Sequence, residues 1–449
     1  MEGEAFRYDP TKSYDSHPQL SIGRMTDVCA HCEAYKWPGE APGMCCSNGK
    51  VKLSPLKPPP EPLESLMSGT TSESKHFLEN IRQYNSCFQM TSFGASEKVF
   101  ESGFRPTFKV QGQVYHHVGS LLPSSDEEPK FLQIYFMGDE RKQADRRCKT
   151  NRGTRGDIVM KLQQMLHQYN TYVHSFKTAL ERMPSDEYNV IIKADKTPVG
   201  EHARRFNEPL VNEVAIVIVG NEFDKRDIVL EKKNSQLKTV SETHRFYDAL
   251  QYPLIFWEGE DGYSFSIMQT NPATGVAVDR KKVSAMNFYA YRIMVRSGAV
   301  NHILRCRQLF HQFVVDMYAK IESERLLFVR LNQKKLRVDE YIHLRDAIVN
   351  EGNADNIGQL VILPSTFTGS PRHMHEYTQD AMTYVRNYGR PDLFVTFTCN
   401  PKWKEIQEEL MSGQCASDRH DVVARVFRQK HIKLMNIITK AHVSGLTRC

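Results

Sequence analysis

The chain has 449 residues, 40% hydrophobic and 25% charged, with a formal net charge of +6. That is length for two or three domains of about 100–200 residues each, with an ordinary globular composition. No apolar run approaches the ~20 residues of a membrane span, Met1-Glu2-Gly3-Glu4 begins nothing like a secretory signal, and the ten cysteines do not form a secreted disulfide frame. The expectation is a soluble intracellular protein with reduced thiols.

In chain order, the first segment is residues 1–62. Cys29-x2-Cys32, twelve further residues and then Cys45-Cys46 have the spacing of a small zinc knuckle, in which two turns each present thiolates to one structural ion. Pro38-Gly39 and Pro42-Gly43 supply turns, and no apolar pattern is long enough to build a core, so a metal is the expected staple. Adjacent side chains diverge, however, so Cys45 and Cys46 do not easily share an ion, and His31 or His17 is an alternative fourth ligand. Free buried thiols are the plain alternative to zinc, and a zinc unit would serve either structure or a grip on DNA. Residues 55–62 contain Pro58-Pro59-Pro60, a stiff extended linker.

Residues 63–285 read as a mixed α+β middle domain. Strands are predicted at 107–110 and 113–117, joined by a Gln111-Gly112 turn, and at 131–136, 189–192 and 214–219. Ile158, Leu162, Met165, Leu166, Tyr169, Val173, Phe176 and Leu180 recur every three or four residues, which predicts one helix of about seven turns. Segment 141–155 gathers Arg141, Lys142, Arg146, Arg147, Lys149, Arg152 and Arg155 against Asp145 alone, a local charge as large as that of the whole chain. Such a run suits DNA phosphates, and equally a solvated face or a nuclear-import address. Tyr135 and Phe136 are candidates to stack on bases, though the period-two pattern around them favours the core. Residues 257–263 read as an acidic turn between strands.

The third segment, 286–449, opens with a helix whose apolar face is Cys306, Phe310, Phe313, Met317 and Ile321, with Asp316, Lys320, Glu322 and Glu324 expected in water. Arg325, Arg330, Lys334, Lys335 and Arg337 form a second, weaker basic patch, followed by a predicted helix at 339–349 and a loop with a short strand at 358–363. Ser370-Pro371 starts an amphipathic helix carrying His373-Met374-His375. Residues 393–397 are predicted as a strand entering a turn at Asn400-Pro401, and 422–438 as a returning helix.

A specific resemblance follows from these residues. Gly369-Ser370-Pro371-Arg372-His373-Met374-His375-Glu376-Tyr377, Gln379-Asp380-Ala381-Met382, Val385-Arg386, Gly389, Pro391-Asp392-Leu393 and Phe397-Thr398-Cys399-Asn400-Pro401-Lys402-Trp403 resemble the Helitron helicase-like region. Tyr291-Arg292, Asp316 to Glu322 and Gly358 to Pro364 extend it, so it covers at least 286–447. The order of Cys29, Cys32, Cys45 and Cys46 among their glycines and prolines is similar to the N-terminal element of the same proteins. These are rolling-circle transposases that join a Rep-type nickase to a helicase. The resemblance implies a Thr-bearing strand, a neighbouring strand whose His-hydrophobic-His pair holds Mg²⁺ or Mn²⁺, and a downstream tyrosine that attacks a DNA phosphodiester.

Of these parts the sequence displays only the first. His373 and His375 precede the Thr strand, and two positions apart on a helix they point in different directions. No GxxxxGK[ST] phosphate loop occurs. The reading is therefore an α+β protein with a zinc-knuckle-like unit, a mixed middle domain and an incomplete Rep-like sheet-and-helix domain: an N-terminal part of a Helitron replicase-helicase, truncated before the cleavage motif. Its expected partner is DNA, single-stranded, in the nucleus, with no membrane contact. The alternatives are an active nickase using His373, His375 and one of Tyr377, Tyr384 or Tyr388, and a zinc-dependent protein-interaction module.

Overall fold

The computed structural model describes residues 4–7, 9–11, 20–90, 92–94, 97–100, 108–111, 115–118, 128–129, 131–174, 188–190, 217–219, 227–232, 238–240, 245–333 and 363–445. The predicted helix at 339–349 and, Leu363 apart, the strand at 358–363 lie outside them, as do Lys334, Lys335, Arg337 and His17. Helices and small antiparallel sheets alternate, so the fold is α+β. By packing there are two compact units, Met1–Val314 with Asn400–Cys449, and Val315–Cys399. This partition differs from the sequence segments 1–62, 63–285 and 286–449.

In the first unit, helices Ser72–Glu79, Ile81–Phe88, Glu140–Thr150 and Gly156–Tyr169 pack through Phe77, Ile81, Tyr84, Phe88, Ile158, Leu162 and Leu166, all buried. The predicted 158–180 stripe does form a helix, but not one of seven turns. Asn170 adopts an extended conformation, and its Oδ1 accepts from the N–H groups of Tyr172 and Val173 at 3.0 and 3.2 Å. An Asn side chain that caps a new turn competes with continuation of the old one. Its Nδ2 donates to the Trp257 carbonyl at 3.1 Å, which fixes the break in the core.

An aromatic chain extends this core. The Phe313 ring lies 5.3 Å from Tyr252, 5.6 Å from Phe256 and 5.9 Å from Tyr289, and Tyr289 in turn stands 5.1 Å from Phe288. The helix Arg307–Leu331 supplies Phe310 and Phe313 to it as predicted; further along the same helix Met317 is buried as predicted, and so is Lys320, expected in water. Residues 257–263 follow the short helix Tyr247–Gln251 and do not link strands.

Two strand predictions need correction. Residues 131–136 form a 3-10 helix, Phe131–Phe136, because the adjacent Ile134 and Tyr135 are both buried, which an alternating strand cannot achieve. Strands Phe108–Gln111 and Tyr115–Val118 exist but are not a hairpin. The first pairs with Glu97–Phe100, and the second lies between Ser92–Gly94 and Lys238–Val240. Strands Tyr188–Val190 and Val217–Val219 flank Asp227–Lys232.

In the second unit the helix Pro371–Tyr388 begins where Ser370-Pro371 indicates. The Ser370 hydroxyl accepts from the His373 N–H at 3.1 Å and donates to the Pro364 carbonyl at 3.1 Å. Residues 393–397 are not a strand: no strand pairs with them among the described residues, and Phe394 is 96% exposed. Without a ladder partner an apolar segment gains nothing from strand geometry.

Candidate metal centre

The short strands Asp27–Val28 and Tyr35–Lys36 pair antiparallel and carry Cys29 and Cys32 on the turn between them. The Cys29 N–H donates to Ala34 O at 3.0 Å and the Glu33 N–H to Cys29 O at 2.9 Å, with Glu33 at φ 57°. This tight reversal turns both thiols to one side. The second pair uses an α-turn: the Ser47 N–H donates to Gly43 O at 2.8 Å, so Cys45 and Cys46 lie on one helical turn. Neighbours there diverge by about 100° rather than the near 180° of a strand. That resolves the sequence-level objection to the Cys45-Cys46 pair.

The four sulfur atoms all lie within 4.8 Å of one another. Cys29 Sγ is 3.7 Å from Cys46 Sγ, and Cys45 Sγ is 3.9 Å from Cys46 Sγ. Four thiolates about 2.3 Å from a tetrahedral ion stand about 3.8 Å apart, so the set fits a metal such as zinc. The Gly49 N–H donates to Cys46 Sγ at 3.1 Å, and Gly49 sits at φ 80° with the His31 ring 2.9 Å from where a Cβ would be. His31 therefore packs on the loop backbone, and Cys46 is placed with the other three cysteines as the candidate fourth ligand.

The thiols strongly perturb one another. A hydrogen bond from Cys45 holds Cys32 down at about 5, while the same bond and then burial push Cys45 far up. Burial pushes Cys46 up to about 11. Only a bound cation could hold all four as thiolates in so small a space.

The cysteine unit is built into the protein. Ala34, Met294 and the half-buried Tyr291 pack against the sulfurs. Arg296 lies 3.8 Å from the centre of the Tyr291 ring, and its Nε donates to Cys32 O at 3.1 Å. Tyr35 N–H donates to Val295 O at 2.9 Å. From the other end of the sequence, Arg425 on the helix His420–Thr439 pairs with Glu40 through bonds of 2.8 and 2.6 Å, and stacks 4.7 Å from the fully buried Trp37. Sequence reasoning missed Arg296, Glu40 and Arg425, because partners 264 and 385 residues apart leave no local pattern.

The basic segment is a helix, Glu140–Thr150, followed by a turn. Arg141, Lys142, Lys149 and Arg152 are exposed. Lys149 and Arg146 both engage Glu128, and Arg155 pairs with Asp157. Arg147 differs: it is fully buried, donates to Cys87 O at 2.6 Å and to Gln163 Oε1 at 3.2 Å, and lies 4.3 Å from the Tyr135 ring centre. Burial lowers its pKa, and these acceptors and ring faces compensate. Tyr135, whose OH donates to Phe88 O at 2.7 Å, is accordingly a core residue; the side chain of Phe136 lies outside the described ones.

His373 and His375 stand on the helix Pro371–Tyr388 in separate environments. His373 Nδ1 is 3.0 Å from Ser365 O with its ring against Tyr377, while His375 Nε2 lies 3.4 Å from Gln379. They do not form a chelating pair.

An α+β protein with a four-cysteine cluster able to hold a metal, packed on residues 291–297 and on the helix His420–Thr439, is the class that fold and site define. Residues 288–448 match the family described as the Helitron helicase-like domain at N-terminus, so this part of the chain is a Helitron helicase-like region. Among curated proteins none matches. Among the described residues no helix is long and apolar enough to cross a membrane.

Proposed function

We propose that this chain is a DNA-binding module of a Helitron-type rolling-circle transposon protein, which holds a nucleic-acid strand without itself cutting it. The observation that carries the reading is the match of residues 288–448 to the Helitron helicase-like domain, the region on which the cysteine centre packs. Zinc in the Cys29, Cys32, Cys45 and Cys46 cluster would staple the N-terminal segment to that region. Arg141, Lys142 and Arg152, exposed and without an ion pair among the described residues, would meet phosphates. Arg146, Lys149 and Arg155 would contribute by exchanging their carboxylate partners, and Arg147 would hold the helix in place. The helical placement of His373 and His375 supports binding over a Rep-like nickase site. Single-stranded DNA is the proposed ligand, and a nuclear location goes with it.

The test incubates the purified chain with a fluorescent single strand and Mg²⁺ or Mn²⁺. Retention that weakens steeply with salt, reduced in the Arg141→Ala, Lys142→Ala, Arg152→Ala triple variant and with no covalent adduct, is the expected result. A tyrosyl–DNA adduct would establish a nickase instead. Failure to retain DNA at low salt would remove the binding reading.

A further inference from the structure

A second cationic site lies away from the basic helix, and no sequence motif marks it. Where the helix Arg307–Leu331 begins, the turn at Ser68-Gly69 and the loop at Met411–Gln414 border a half-open cavity of about 50 Å³, all within the first compact unit. Arg305 and Arg307 line it. Arg305 is occupied: its Nη1 donates to Glu64 Oε1 at 2.6 Å. The Arg307 guanidinium makes no hydrogen bond or ion pair among the described residues, although the residue is half-buried.

Three features show that the fold makes room for this guanidinium. Arg307 itself has φ 44°, a left-handed conformation that a non-glycine residue adopts only under constraint. Its Nη2 lies 3.5 Å from where a Cβ on Gly69 would stand and 3.0 Å from the corresponding position on Gly413. Both glycines have positive φ, 73° and 74°, so the walls beside the charge are bare backbone turns. The remaining polar lining is Ser68, Ser412 and Gln414. Gln414 holds the loop, donating to Leu304 O at 2.8 Å and accepting from Met411 N–H at 3.0 Å. Ser68 Oγ is 2.8 Å from Thr70 Oγ1 and keeps further hydrogen-bonding capacity.

We infer that this cavity is a phosphate subsite, in which Arg307 clasps one backbone phosphate of a bound nucleic-acid strand with the Ser68 and Ser412 hydroxyls beside it. A guanidinium fork with hydroxyl donors matches tetrahedral phosphate oxygens. The volume accepts a few water-sized groups, hence a phosphoryl group and not a nucleoside. The nucleic-acid assignment rests on the proposed function; the phosphate chemistry does not.

The experiment uses the full chain and three proteins: wild type, Arg307→Gln, and Ser412→Asp, which places a carboxylate at an exposed position on the rim. Two readouts are taken, thermal protection by inorganic phosphate at constant ionic strength, and the salt dependence of binding to a labelled oligothymidylate. Wild type should be protected by phosphate and both variants should lose that protection. Their log–log salt slope should fall by about 0.7, the loss of one single-strand phosphate contact. Phosphate protection unchanged in both folded variants would overturn the subsite while leaving DNA binding by the basic helix intact. Protection of wild type by phosphate without any oligonucleotide binding would overturn the nucleic-acid assignment and, separately, the proposed function.

Discussion

At Glu260 burial pushes the carboxyl up to about 7; Glu258 reinforces the shift, while Arg292 pulls the other way, and Oε2 has no partner among the described residues. The folded chain therefore keeps a proton that the unfolded chain, with a carboxyl near 4.5, has already released. The stabilisation is complete below about pH 4.5 and is lost as pH rises through about 7, where the gap corresponds to about 3 kcal/mol. Glu260→Gln should hold its melting temperature between about pH 5 and pH 8 relative to wild type, which should fall. Parallel melting curves would refute this. What the sequence shows at this scale is side-chain chemistry without surroundings. Cys29 and Cys32 declare themselves by spacing, and all four cysteines meet. Arg147, one charge among seven in its segment, could not be told from its neighbours, because its burial depends on Phe88, Tyr135 and Gln163 from three other elements.

Among elements, those whose signal is local were legible. Ser370-Pro371 is a helix start by its own chemistry, and Ser370→Ala should cost about 1 kcal/mol by removing the cap on the His373 N–H. Periodicity was less decisive where a core position intervened. Asn170 interrupts an otherwise regular apolar stripe because its amide finds the Trp257 carbonyl on one side and two backbone N–H groups on the other. Asn170→Ala should cost about 2–3 kcal/mol, more than Ser370→Ala, since it removes the bonds to two buried backbone N–H groups as well as the donor to the buried Trp257 carbonyl. Chemical denaturation of both variants measures the difference, and equal losses would contradict it. The strand expected at 393–397 failed for the opposite reason: β-propensity states that a segment suits a sheet, not that a partner strand is present.

For the molecule, the cysteine segment and the last helix are one piece of structure. Glu40 and Arg425 pair with side chains only 4% and 12% exposed, and both hold Trp37, whose N–H donates to Glu40 at 2.8 Å and whose indole donates to Gly23 O at 3.1 Å. Lys430 pairs with Glu405, which accepts from the Ile22 N–H, in a second tie between the same regions. Removing one member of a buried pair strands the other charge, so Arg425→Ala should destabilise by about 3–5 kcal/mol and speed metal loss to a chelator. An unchanged chelation rate would separate the two elements. None of this was readable from the sequence, where 1–62 appears as an appendage on a proline linker. The family region was readable, because its motifs lie close together along the chain.

The account depends on four sulfurs closing around one ion. Cobalt(II) reports that geometry: the purified chain loaded with Co²⁺ should show intense visible ligand-field bands and near-ultraviolet sulfur-to-cobalt charge transfer, saturating at one ion per chain and erased by Zn²⁺. Cys29→Ser, Cys32→Ser, Cys45→Ser and Cys46→Ser should each change the spectrum. A weak octahedral spectrum, or one indifferent to Cys45 and Cys46, would contradict the tetrathiolate centre.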